Sequence, residues 1–163
     1  MKEALLAWVS SLPPELAVIV LSALPITELR AGIPVGITVF HLSPLSALLF
    51  GILGNLIPIL LIYTLLPFLI RWAAKHSVTM DRLLKRYFDS LKSKHHETIE
   101  KYGSIGLAIF VAIPIPGTGT WTASILAILF GIRSQYGIPA IAVGSAVAGL
   151  VILFVTLGVV KLW

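Results

Sequence analysis

The chain has 163 residues, of which 58% are hydrophobic and only 12% charged, with a mean hydropathy of +1.00 and a net charge of +5. A soluble domain carries about 25% charged residues, so this balance excludes one and indicates an all-α integral membrane protein. Cysteine is absent, which removes disulfides, thiolate chemistry and thiolate zinc sites.

Residues 1–14 read as an interfacial amphipathic helix, with Trp8 as a head-group anchor and Pro13-Pro14 as its stop. Glu3 and the lack of a small-residue cleavage site argue against a removed leader, so the whole chain is taken as mature. Residues 15–41 form a broken segment. Glu15 to Leu24 supplies about 15 Å of helix, half of a roughly 30 Å hydrocarbon core. It then meets Pro25-Ile26-Thr27-Glu28-Leu29-Arg30-Ala31-Gly32-Ile33-Pro34, a polar run with helix breakers at both ends. Residues 44–70 follow as a secure transmembrane helix, opened by Ser43-Pro44, closed by Arg71 and Trp72, and carrying Asn55 and Pro58 inside it.

Residues 71–103 hold eight basic side chains (Arg71, Lys75, Arg82, Lys85, Arg86, Lys92, Lys94, Lys101) against four acidic ones (Asp81, Asp89, Glu97, Glu100). Such an excess marks the cytoplasmic side. Leu84, Tyr87, Phe88, Leu91 and Ile99 recur at helical spacing, so an amphipathic helix on the inner leaflet is expected, with anionic head groups rather than nucleic acid as its partner. Tyr102-Gly103 ends it. Residues 104–132 repeat the first broken segment. Ten residues lead to Ile113-Pro114-Ile115-Pro116-Gly117-Thr118-Gly119-Thr120-Trp121-Thr122, and a half-helix leads away. Residues 138–163 are the second transmembrane helix, with Ala140, Gly144 and Ala148 along a face that permits close approach.

The chain thus reads as two halves, with Pro25 matching Pro114, Pro44 matching Pro139 and Gly54 matching Gly149. If each broken segment is a re-entrant helical hairpin, each half crosses once and the halves are inverted repeats. Polar tips then meet at the midplane, where irregular backbone escapes lipid. The competing topology has four full spans with kinks at the prolines, and the positive-inside count leans slightly toward it. Two prolines and two glycines within six residues are more than a kink needs, which favours re-entry.

Glu28 and Arg30 are the expected site charges, because an intramembrane ion costs about 2.5–3.5 kcal/mol and something must offset it. Half-helices starting near Thr27 and Thr120 aim positive dipole ends at the midplane, and with Arg30 they make an anion site. Thr118, Thr120 and Thr122 serve that site or merely cap broken helices. Trp121 stacks on a substrate or packs in the core. Arg133 receives a head group or sets topology. His95-His96-Glu97 lacks metal-ligand spacing, and no enzyme motif is present, so neither a metal, a cofactor nor a catalytic residue is expected.

The two polar runs resemble the signature stretches of the small multidrug export protein family, a family distantly similar to the DedA (SNARE-associated, VTT) superfamily. The resemblance covers nearly the whole chain, and Pro114-Ile115-Pro116-Gly117-Thr118-Gly119 is its most specific part. It implies inverted re-entrant hairpins, a homodimer, and a multi-pass protein of the cell membrane. It also implies a transporter that moves a small or lipid-linked anion, such as a polyprenyl or phospholipid phosphate. Thr27, Glu28, Arg30, Pro114, Pro116, Gly117, Thr118, Gly119, Thr120, Trp121 and Arg133 are then the substrate-binding set. The alternatives are a scaffold without transport activity and an exporter of cationic drugs that binds them through Glu28.

Overall fold

Prolines and glycines set the helix ends. In a computed structural model, which describes residues 12–76, 78–115 and 117–162, every regular element is a helix. These are α1 (Pro14–Ala23), α2 (Glu28–Thr38), α3 (Pro44–His76), α4 (Val78–Ala112), α5 (Thr120–Leu129) and α6 (Ser134–Leu162). Trp8 with most of the proposed interfacial helix, Pro116, Trp163 and the side chains of His95, His96 and Glu97 lie outside the described residues.

Pro14 sits at the start of α1, where a missing N–H costs nothing, and Pro25 follows its C-cap Leu24. Ser43 caps α3, its Oγ accepting the Ser46 N–H at 3.1 Å. α5 ends in a left-handed Gly131 (φ 68°), with Ile132 N–H returning to the Ala127 carbonyl and Gly131 N–H to that of Ile128. This is a Schellman closure, in which glycine takes the conformation that a Cβ opposes.

Among the described residues, two helices are long and apolar enough to cross a membrane, Pro44–Trp72 and Ser134–Lys161. α3 continues past Trp72 to His76, whose ring stacks on Trp72 at 5.0 Å. α4 is two arms joined at Gly103, whose φ of 55° and ψ of −128° break the helix. The first arm is charged, and the second, Tyr102–Ala112, is apolar. That arm, α1, α2 and α5 are 10 or 11 residues each. Each is therefore about 15 Å long, half the roughly 30 Å of a hydrocarbon core.

The short helices occupy the space around the two long ones. α1 lies along α3, and the apolar arm of α4 lies along α6. A glycine permits each approach: a Cβ on Gly54 would strike the Ile19 carbonyl, and one on Gly144 would strike the Ala108 carbonyl. Ile19 stands six residues before Pro25, and Ala108 six before Pro114. α2 and α5 fit between α3 and α6. Leu29 and Ile33 of α2 pack with Leu48 and Leu153. Ala123, Leu126 and Ala127 of α5 pack with Ile59, Leu107 and Ile141. The outward faces of α3 and α6 remain apolar, with Leu53, Leu60 and Phe68 on one and Val143, Phe154 and Val155 on the other exposed. A water-soluble monomer does not leave so extended an apolar surface uncovered, whereas lipid covers it at no cost. This is a membrane protein.

These approaches carry a stability prediction. Gly54→Ala forces a methyl against the backbone of Ile19 and should cost about 1–3 kcal/mol. Gly158→Ala, where nothing lies within 4 Å of the new methyl, should cost nothing. Thermal unfolding of the two purified variants in one detergent checks this, and equal melting temperatures would remove the glycine contact as the reason for the packing.

Candidate functional site

Both breaks have exposed tips at Ile26, Ile113 and Ile115, but the helices that follow start at buried residues, Glu28 and Thr120. There an unpaired N–H or C=O in an apolar interior costs several kcal/mol. At the end of α1 the Thr27 hydroxyl donates to the Leu21 carbonyl, and Glu28 N–H donates to the Leu24 carbonyl at 3.0 Å. The Ala23 carbonyl is met from the other half of the chain, by the indole N–H of Trp121 at 3.0 Å. At the second break the Thr118 hydroxyl donates to the Ile113 carbonyl at 2.6 Å and folds the turn on itself. The Ile115 carbonyl accepts from Arg30 Nη2, again across the halves.

The start of α5 has no side-chain cap of its own, its N-cap being Gly119. Glu28 supplies one. The backbone N–H groups of Trp121 and Thr120 donate to its carboxylate, which lies where a Cβ on Gly119 would be. A carboxylate at a helix N-terminus satisfies orphan donors and meets the positive end of the dipole. Reaching it requires Glu28 to adopt a φ of +46°. Left-handed backbone at a non-glycine residue costs of the order of 1–3 kcal/mol and persists only where surroundings enforce it. Arg30 Nη2 stands 3.9 Å from Glu28 Oε2, so the two charges face each other although they are two residues apart.

Behind the tip runs a buried polar chain. Thr120 Oγ1 donates to Asn55 Oδ1 at 3.2 Å, and Asn55 Nδ2 donates to Ser145 Oγ at 2.9 Å. Ser124 Oγ donates to the Thr120 carbonyl at 2.7 Å. The chain joins α5 to both long helices, and all four side chains are buried.

Two cavities meet here. One, of about 10 Å³, is walled by Glu28, Arg30, Asn55, Val111, Pro114 and Gly119 among others, and is sized for a single water. The other is an open groove of about 310 Å³ between α2 and α6, walled mainly by apolar side chains. Arg30, Pro114 and Ile152 line both. Arg30 therefore stands between a polar chamber and an apolar groove.

Of the residues singled out from sequence, Thr27, Glu28, Arg30, Pro114, Thr118, Gly119, Thr120 and Trp121 come together at this centre. Gly117 has a φ of +94° and open space where a Cβ would point. Arg133 is exposed at the far end of α5, about 15 Å along its axis. Sequence reasoning left Asn55 and Ser145 out of the substrate-binding set. Asn55 in an apolar span was the available signal, whereas Ser145 is one small residue among many in α6.

A family model described as "Putative small multi-drug export protein" matches residues 28–151, about three quarters of the chain. No curated protein and no solved structure matches.

Proposed function

From the premise that the chain belongs to the small multi-drug export family, we propose that it is a membrane transporter that binds an anionic substrate, small or lipid-linked, at the meeting point of two re-entrant hairpins. The observation that carries this reading is the division of labour between the two central charges. The Glu28 side chain is 9% exposed and engaged by the amides of α5, while that of Arg30 is 27% exposed and lines the groove. The charge offered to a ligand is the cation. A cationic drug binding through Glu28 would have to displace two backbone donors and pass Arg30, which argues against that alternative.

Re-entry is supported by lengths and by pairing. Four half-length helices end near the same polar centre, and the breaks between them are capped across the halves. The like contacts of Gly54 and Gly144 support an equivalence of these two residues, beside the Gly54 and Gly149 pairing read from sequence. That equivalence puts Asn55 opposite Ser145, as a two-fold relation between inverted halves would. The protein is then a multi-pass protein of the cell membrane with the basic arm of α4 inside, where Arg82, Lys85 and Arg86 face anionic head groups. A homodimer is part of the same reading.

Arg30→Gln tests it. Reconstituted protein should lose at least about tenfold in phosphate or alkyl-phosphate flux per folded molecule, which is about 1.4 kcal/mol of lost interaction, over and above any fall in melting temperature from loss of the Glu28 contact. Unchanged flux rejects the reading. Topology is tested separately, since the native chain lacks cysteine. Single cysteines at Ser10, Ser77 and Ser134 should label from outside, inside and inside. Labelling of Ser134 from outside, with Ser10 and Ser77 inside, would establish four spans instead.

A further inference from the structure

Resting on the anion reading above, we propose that the groove beside Arg30 binds the apolar chain of an amphiphilic anion, a single-chain phosphate or carboxylate taken sideways from the bilayer. The groove is walled by Pro34 of α2, Pro114 of the second break, and Val151 and Val155 of α6. Val151 and Val155 are 41% and 61% exposed on the outer face of a membrane-crossing helix, so the groove opens toward lipid rather than toward either aqueous side. Its volume of about 310 Å³ lies at the lower end of the range for ligand pockets, which suits one slim chain and not a two-tailed lipid.

At its inner end the groove stops being apolar. Arg30 stands there, and both of its contacts, to the Ile115 carbonyl and to Glu28, run through Nη2. Nη1 and Nε, with three of the five guanidinium N–H groups, have no partner among the described residues, and each can donate a charge-assisted hydrogen bond to a phosphate or carboxylate oxygen. A chain lying along Val155, Val151 and Pro34 thus delivers its head group to Arg30, at the wall shared with the Glu28 chamber. An anionic head completes the hydrogen bonding of the arginine. A cationic head on the same chain meets like charge in an apolar setting, where repulsion is weakly screened.

The test is retention of radiolabelled ligand by the whole protein in nanodiscs of zwitterionic lipid. Dodecyl phosphate should be retained at least about tenfold better than inorganic phosphate or dodecyltrimethylammonium. Val155→Trp and, independently, Val151→Phe fill the groove and should each lower retention of dodecyl phosphate about tenfold without changing that of inorganic phosphate. Val143→Trp, equally exposed to lipid but outside the groove, should change neither. Arg30→Gln should lower both. Dodecyl phosphate retained no better than inorganic phosphate, or insensitive to both groove variants, overturns the groove while leaving the anion site standing. Retention of neither anion by the parent protein overturns the anion reading and the groove with it. An interchain disulfide in Val155→Cys that persists in excess dodecyl phosphate also overturns the groove as a ligand site, since a second copy then covers it.

Discussion

Gly119→Ala should unseat Glu28 and lower stability by about 3 kcal/mol, the range for stranding one member of a buried charge pair. The new methyl would occupy the position of the carboxylate, so the Glu28 side chain is the group that must yield. Glu28 then swings away, the amides of Thr120 and Trp121 lose their acceptor, and Arg30 loses its counter-charge. Loss of the cap contributes about 1–2 kcal/mol, and the stranded charge supplies the remainder. In a chain of this size each kcal/mol shifts the melting temperature by about 2–4 °C, so a drop of about 6–12 °C is expected. Glu28→Ala should do much the same from the other side of the contact. Glu28→Gln, which keeps an acceptor oxygen, should fall between it and the parent. The decisive measurement is the double variant. If the residues act through one contact, Glu28→Ala with Gly119→Ala costs little more than either alone. Full additivity would mean that the carboxylate does not cap α5.

The interruptions in this fold are legible because proline and glycine have local consequences. Pro25 and Pro114 cannot continue a helix, and α1 and α4 stop at Ala23 and Ala112, short of them. The two long apolar runs are equally plain, since no charged residue interrupts residues 44–70 or 138–160. The centre is less legible because its hydrogen bonds span large separations in sequence. Glu28 and Arg30 announce themselves as charges in an apolar setting, yet their partners are backbone groups of residues 115, 120 and 121, and every residue has such groups. The Trp121 ring reads equally well as a stacking platform or a core aromatic. Only the approach of Ala23 turns it into a cap. The chain first met the amides of α5 as an anion site aimed at a ligand, and the structure fills that position with its own carboxylate. In the proposed anion site the cation left to meet a ligand is Arg30.

Asn55→Leu should be the other large effect, at about 2–3 kcal/mol, although it removes no charge and replaces the amide with an apolar group of the same heavy-atom count. Hydrogen bonds between membrane helices average only about 0.6 kcal/mol and reach about 1.7, because a polar group freed in lipid usually finds another partner. Asn55 holds two of them at once, to Thr120 and to Ser145, and all three side chains are buried. Both bonds therefore belong near the top of that range. Ser145→Ala removes one, so it should cost less than half as much, and in an Asn55→Leu background it should cost almost nothing. Thermal unfolding of the four proteins gives the coupling directly, and a coupling energy near zero would reduce the chain to coincident contacts. The consequence reaches the site, since Thr120 is the first residue of α5 and its amide faces Glu28. Through Asn55 the position of that amide is referred to α3, and through Ser145 to α6, so neither long helix can shift without moving the donor that holds Glu28 in place. In the proposed transporter this link would couple the two halves as access to the centre is exchanged. In Asn55→Leu the loss of flux should accordingly exceed what the fall in folded protein explains.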